Sequence, residues 1–75
     1  MYQPGDYVYL MDMPQRLLCR VAGAETERTP LGCYQILTLE PLEGPWLKWP
    51  GTHLIRLDES VLPAPRGNRQ AAPEL

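Results

Sequence analysis

Proline and glycine interrupt this chain so often that no long helix can run through it. Nine prolines and six glycines fall among its 75 residues. Each proline removes a backbone donor and fixes φ, and each glycine adds to the entropy lost on ordering. The runs left between these breaks are short and carry aromatic and β-branched residues, which favour a pleated, half-buried surface. An apolar content of 44% argues against wholesale disorder. A chain of this length buries only about 60% of the surface it exposes when unfolded, so one small domain is expected and a deep enclosed active site is not.

Pro4-Gly5-Asp6 is a turn signal leading into Tyr7-Val8-Tyr9-Leu10, the first expected strand. Asp12-Met13-Pro14-Gln15 breaks the pattern, and the next run places Leu17, Cys19 and Val21 on one face with Arg20 on the other. Gly23 to Gly32, with its polar cluster Glu25-Thr26-Glu27-Arg28-Thr29-Pro30, is read as an exposed connecting loop, the long tip of a hairpin between the flanking strands. Cys33 to Leu39 is the strongest strand signal, and taking Gln35 as an outward marker predicts Tyr34 and Ile36 inward. Pro41, Gly44, Pro45, Pro50 and Gly51 leave Glu40 to Gly51 no regular element of useful length. Thr52 to Leu57 returns to strand chemistry, with Ile55 and Leu57 expected inward and Arg56 outward. Asp58 to Pro63 reads as one helical turn with Asp58 as its N-cap. The expected core is Val8, Val21, Ile36, Ile55 and Leu57. From Pro65 onward few residues can anchor to a core, so residues 65–75 are expected to form a disordered tail.

A Gly-Asp-x-Val opening, three further short strands, and a last strand reached through a helical turn at Val61-Leu62-Pro63-Ala64 resemble small SH3-like barrels. The resemblance covers about residues 3–64 and implies an all-β fold, a five-stranded antiparallel SH3-like barrel spanning residues 1–64 with a short helical turn. It also implies peptides, partner proteins or nucleic acid as ligands. The opening recurs in KOW-type, Tudor-type and other small bacterial barrels, so it speaks to architecture alone. Tyr7 and Tyr9 are similar to the aromatic opening strand of peptide-binding SH3 domains, but Trp46 and Trp49 are not an adjacent pair. The small plasmid-type dihydrofolate reductases share the barrel and approximate length and carry Val-Gln-Ile-Tyr in the corresponding strand. His53-Leu54-Ile55-Arg56 stands there in this chain, without the glutamine or the tyrosine.

Residues with chemical potential are scattered. His53 is the single histidine, with no third group to complete a nucleophile, base and orienter set. Cys19, Cys33 and His53 lack any Cys-x-x-Cys or His-x-x-x-His spacing, so no metal site is expected. The carboxylates are dispersed, and no glycine-rich phosphate loop is present, so no catalytic residue and no cofactor is expected. The two cysteines read as reduced core thiols, although a pairing across adjacent strands stays open. The opening residues have no cationic segment followed by an apolar run, and no apolar stretch approaches the roughly 20 residues of a membrane span. A soluble cytoplasmic protein is the expectation.

The unusual segment is Gly44-Pro45-Trp46-Leu47-Lys48-Trp49-Pro50-Gly51, which gathers both tryptophans and the only lysine between turn formers. It is either a structural lid over an open barrel end or a recognition loop. The leading expectation is a noncatalytic module that binds a partner protein through Tyr7, Tyr9, Trp46, Lys48 and Trp49. The alternative is a nucleic-acid-binding barrel using Arg16, Arg20, Arg28, Lys48 and Arg56, against which the net charge of −2 weighs. A small enzyme subunit with a pore formed on oligomerisation is the third reading.

Overall fold

The structure, a computed structural model, describes residues 1–65; of the expected tail, residues 65–75, all but Pro65 lie outside the described residues. The fold is all-β. One sheet carries five antiparallel strands: β1 (Tyr7–Leu10), β2 (Leu17–Thr29), β3 (Gly32–Pro41), β4 (Leu54–Leu57) and β5 (Val61–Pro63), in the order β4-β3-β2-β1-β5. Two short 3-10 turns, Gly44–Lys48 and Asp58–Ser60, punctuate the second half.

The opening turn does what its residues demand. The Asp6 amide donates to the Gln3 carbonyl (3.0 Å) around Pro4 and Gly5, and Gly5 holds φ +98°, a conformation that L side chains rarely adopt. The Asp6 carboxylate accepts from the Gln3 amide (2.8 Å), and the turn is tied to β2 by Gly5 N–H to the Val21 carbonyl (2.8 Å). It therefore delivers Val8 and Leu10 inward with Tyr7 and Tyr9 on the outer side.

β2 and β3 form a long hairpin. The stretch expected to be a loop is strand on both sides of a tight turn: β2 runs to Thr29, β3 starts at Gly32, and Gly32 takes φ +138°. The Thr29 hydroxyl donates to the Gly32 carbonyl (3.0 Å) and accepts from the Leu31 amide (3.1 Å). Polar composition marked exposure here, and exposure is what the hairpin end has, but its backbone pairs through to Thr29↔Gly32. A bulge between Val21 and Gly23 shifts the register, so that Val21 and Ala24 both face the core.

The core is a single cluster: Val8, Leu10, Leu17, Cys19, Val21, Leu37, Leu39 and Val61, with Tyr2, Met13, Ala24, Trp46 and Leu54 packed against it. The expected placement of Leu17, Cys19 and Val21 on one face is the observed one, as is that of Val8. The expected parity of β3 is reversed: Gln35, Leu37 and Leu39 are buried, Ile36 is half-buried, and Tyr34 is exposed. Gln35 faces inward because its amide is satisfied there, accepting from the Tyr2 amide (2.8 Å) and donating to the Tyr2 carbonyl (3.0 Å).

β4 follows β3. Leu39 pairs with Leu54 and Leu37 with Arg56, and directly opposed residues share a face, so Ile55 (57% exposed) and Leu57 point outward rather than into the core. Arg56 is accommodated because its Nε donates to the Asp12 carboxylate (2.8 Å), in the segment joining β1 to β2. A second link, Met11 N–H to the Ser60 carbonyl (2.9 Å), holds the β4–β5 connection to the same segment. Among the described residues no ladder joins the edge strands β4 and β5. The second 3-10 turn is not capped as expected: Leu57 occupies the N-cap position, no side chain caps it, and Asp58 is its first residue.

These faces are tested by truncation. Leu37→Ala should cost about 2–5 kcal/mol in urea unfolding, as buried leucines do. Ile55→Ala should stay within about 0.5 kcal/mol, like other exposed sites. Equal costs at the two positions would refute the assigned parity.

Candidate interaction surface

The Trp segment is built as a tied loop. The first 3-10 turn begins after Glu43 with Pro45 in its first positions, where a missing amide costs nothing. Its ends are fastened: the Leu42 amide donates to the Leu18 carbonyl (2.9 Å), and the Leu18 amide donates to the Glu43 carboxylate (2.8 Å). Trp49 N–H returns to the Trp46 carbonyl (3.0 Å), while the Thr52 amide (3.1 Å) and hydroxyl (2.7 Å) both donate to the Trp49 carbonyl. Gly44 holds φ +79° with the Leu17 side chain 3.6 Å from where its Cβ would sit.

The loop divides its aromatic residues. Trp46 is half-buried and packs on the core, whereas Trp49 and Leu47 are each 59% exposed. The loop is thus a lid through one ring and an open surface through the other. A cleft of about 240 Å³ runs between Glu40, Pro41, Trp46, Trp49 and Thr52. A second, of about 350 Å³, lies on the other side of Trp46 against Met13, Pro14, Arg16, Leu17 and Pro45. Lys48 is exposed in the last turn of the loop's 3-10 segment.

Tyr9 reaches this second cleft indirectly. Its ring lies under the Arg16 guanidinium, 4.2 Å from carbon to ring centre, and Arg16 lines the cleft with Trp46. Tyr9 also sits in a cross-strand row with Leu18 and the exposed Leu62. Tyr7, two residues earlier on the same outer face, borders a different cleft, with Tyr2 and Asp58. The structure therefore links Tyr9 to Trp46 through Arg16, brings Trp46 and Trp49 together in the first cleft, and leaves Tyr7 apart. The Arg16 stack and the Tyr2–Asp58 cleft carried no sequence signal of their own, since both depend on where turns return the chain.

The cations of the nucleic-acid alternative are dispersed. Arg20 pairs with Glu40, its Nε donating at 3.0 Å, and Arg56 pairs with Asp12. Arg28 lies near the hairpin end, its Nη1 3.8 Å from the Cys33 sulfur, and Arg16 stacks on Tyr9. Two of the five thus already neutralise carboxylates within the chain.

The cysteines are both free and differ in setting. Cys19 is buried in the core, and burial first, with the Glu43 carboxylate second, pushes its thiol up to about 11, with Arg56 opposing. Cys33 is exposed on the hairpin. His53 is exposed just before β4. Among the described residues no three His, Cys, Asp or Glu side chains gather as a metal-holding group, and no helix is long and apolar enough to cross a membrane. The chain matches no family model, no curated protein and no solved structure.

A thiol reagent such as an aromatic disulfide should modify one cysteine of the native chain at pH 8, at Cys33, and the second only after denaturant is added, because the thiolate is the nucleophile. Two equally fast thiols would contradict the burial of Cys19.

Proposed function

We propose that this chain is a noncatalytic, SH3-like protein interaction module of the cytoplasm that takes its partner on the Trp49 side of the tied loop. The observation that carries the reading is the split between Trp46, packed on the core, and Trp49 with Leu47, more than half exposed on a backbone fastened at both ends. A ring held out on an ordered loop loses little conformational freedom when it is covered, and large aromatic anchors dominate interface energies. Tyr9, Arg16 and Leu62 extend the surface along the outer face of β1, and Lys48 supplies its charge. The strand order, a meander with a 3-10 turn before the last strand, supports the barrel reading.

Trp49→Ala should leave the melting temperature nearly unchanged and weaken capture of the partner by about 2 kcal/mol or more, roughly thirtyfold. Trp46→Ala should instead lower stability, by a fraction of the about 3–5 kcal/mol that a fully buried tryptophan costs. The measurement is quantitative capture from lysate by the wild-type chain, by Trp49→Ala and by a surface control, Glu59→Ala. A partner retained equally by all three overturns the assignment. If binding is instead to oligonucleotides and falls steeply with salt, the basic-barrel alternative replaces it.

A further inference from the structure

The outer face of the sheet carries an apolar patch at its β3–β4 end. Tyr34 and Ile36 on β3 and Ile55 and Leu57 on β4 point outward, and the ladder sets Ile36 directly opposite Leu57. Tyr34 is 37% exposed, Leu57 40% and Ile55 57%. Four large apolar side chains on two adjacent strands make one continuous patch rather than scattered exposure. Its border on β2 is acidic. The β2–β3 ladder sets Glu25 opposite Ile36 and Glu27 opposite Tyr34, so both carboxylates share the face of the patch and stand beside it. Among the described residues neither has an ion pair, and the nearby cations are committed elsewhere: Arg20 pairs with Glu40, Arg56 with Asp12, and Arg28, on the opposite face, lies against the Cys33 sulfur.

We propose that this face docks an amphipathic helix of a partner protein, its apolar stripe on Ile36, Ile55 and Leu57 and a row of lysine or arginine along Glu25 and Glu27. The apolar patch calls for an apolar stripe, and the acidic border selects a partner with cations on one side of it. An extended segment laid across the patch would bury its own backbone donors and acceptors against side chains that offer them no bonds, whereas a helix bonds its own. A strand added at the β4 edge would leave Ile36 and both carboxylates uncovered, and the Ile55 carbonyl already accepts from Arg56 Nη1 (2.9 Å). A helix is about 10–12 Å across, and β4 and β2 lie two strand spacings apart, about 10 Å, so one helix covers the patch and reaches its border. A second copy placed face to face brings the same acidic border, while the cation it carries on this face, Arg20, is already paired with Glu40. The inference goes beyond the tryptophan surface and shares none of its residues.

The test is a chemical-shift titration of the full chain with a synthetic helical peptide of about 16 residues, long enough to hold a helix, with leucine along one stripe and lysine and alanine elsewhere. The control peptide keeps the leucines and replaces every lysine with glutamate. Saturable shifts at Tyr34, Ile36, Ile55 and Leu57 are expected with the lysine peptide, and binding about fivefold or more weaker with the glutamate peptide. Ile55→Ala should weaken binding by about fivefold or more, as loss of an interface anchor does. Glu27→Gln should weaken it about twofold to fivefold, whereas Glu59→Gln, which changes the net charge equally, should not. Trp49→Ala should leave these shifts intact, so loss of the tryptophan reading and loss of this one are told apart. The full chain carrying Arg66→Gln and Arg69→Gln should show the same four signals without peptide. Equal binding of the two peptides, equal effects of Glu27→Gln and Glu59→Gln, or shifts that never saturate would overturn the proposal. Signals that move in the Arg66→Gln, Arg69→Gln chain would make the chain's own C-terminal segment the occupant, and a concentration-dependent dimer that Ile55→Ala dissolves would make it a second copy; either overturns the partner assignment.

Discussion

Which side of β3 points inward decides almost everything else about this molecule. A single sheet has one inner face, and a strand's side chains alternate strictly, so choosing Leu37 and Leu39 commits Gln35 and Pro41 to the core side and Tyr34, Ile36 and Thr38 to the outer side. The ladders propagate that choice. Through β4 it places Leu54 and Arg56 inward, and through β2 it places Val21 and Ala24 opposite Leu39 and Leu37. The bulge at Val21–Gly23 is the adjustment that lets β2 serve both β1 and β3 with apolar residues on the same face.

The inward choice leaves polar groups that have to be satisfied, and each is met by a distant segment. Gln35 is met by the Tyr2 backbone, 33 residues away in sequence, and Arg56 by Asp12, 44 residues away. These contacts do for the edges what a closing ladder would do in a full barrel, since they pin the N-terminal segment and the β1–β2 connection over the open side. A buried amide without its partner would cost about 1–3 kcal/mol, a large part of the stability of so small a domain, so the N-terminal segment is structurally required rather than appended. The same fastening shapes the Tyr2–Asp58 cleft.

The elements themselves were readable. Turn residues at Pro4-Gly5, at Pro14 and between Pro41 and Gly51 bound the strands where the ladders end, and the alternation Leu17-Cys19-Val21 points where the structure points. Parity in β3 and β4 was not readable. Both faces of Tyr34–Leu39 and of Leu54–Leu57 carry apolar residues, and the rule that polar side chains face out fails at Gln35 and Arg56, whose partners lie far off in sequence. A hairpin was expected here, but the length of its strands was missed for a related reason: Glu25–Thr29 is polar on both faces because its end stands clear of the core, which mimics a loop. Of the nominated surface, the special position of the Trp46–Trp49 segment was legible from its punctuation, but the division of labour between its rings depends on tertiary packing.

That division follows from size. So small a domain has room for few large side chains in its interior, and Leu10, Leu37, Leu39, Val8, Val21 and Cys19 already occupy the fully buried positions. Trp46 can therefore cover the core only from its margin, and the proline-bracketed turn that seats it leaves Leu47 and Trp49 on the solvent side. An exposed tryptophan on a slack loop would chiefly add aggregation risk, because covering it would require ordering the backbone as well. Here the backbone is ordered already, by Glu43 on Leu18 and by Thr52 on Trp49. The packing of Trp46 and the presentation of Trp49 are thus one device, in which the ring that stabilises the domain also fixes the loop on which the other is displayed.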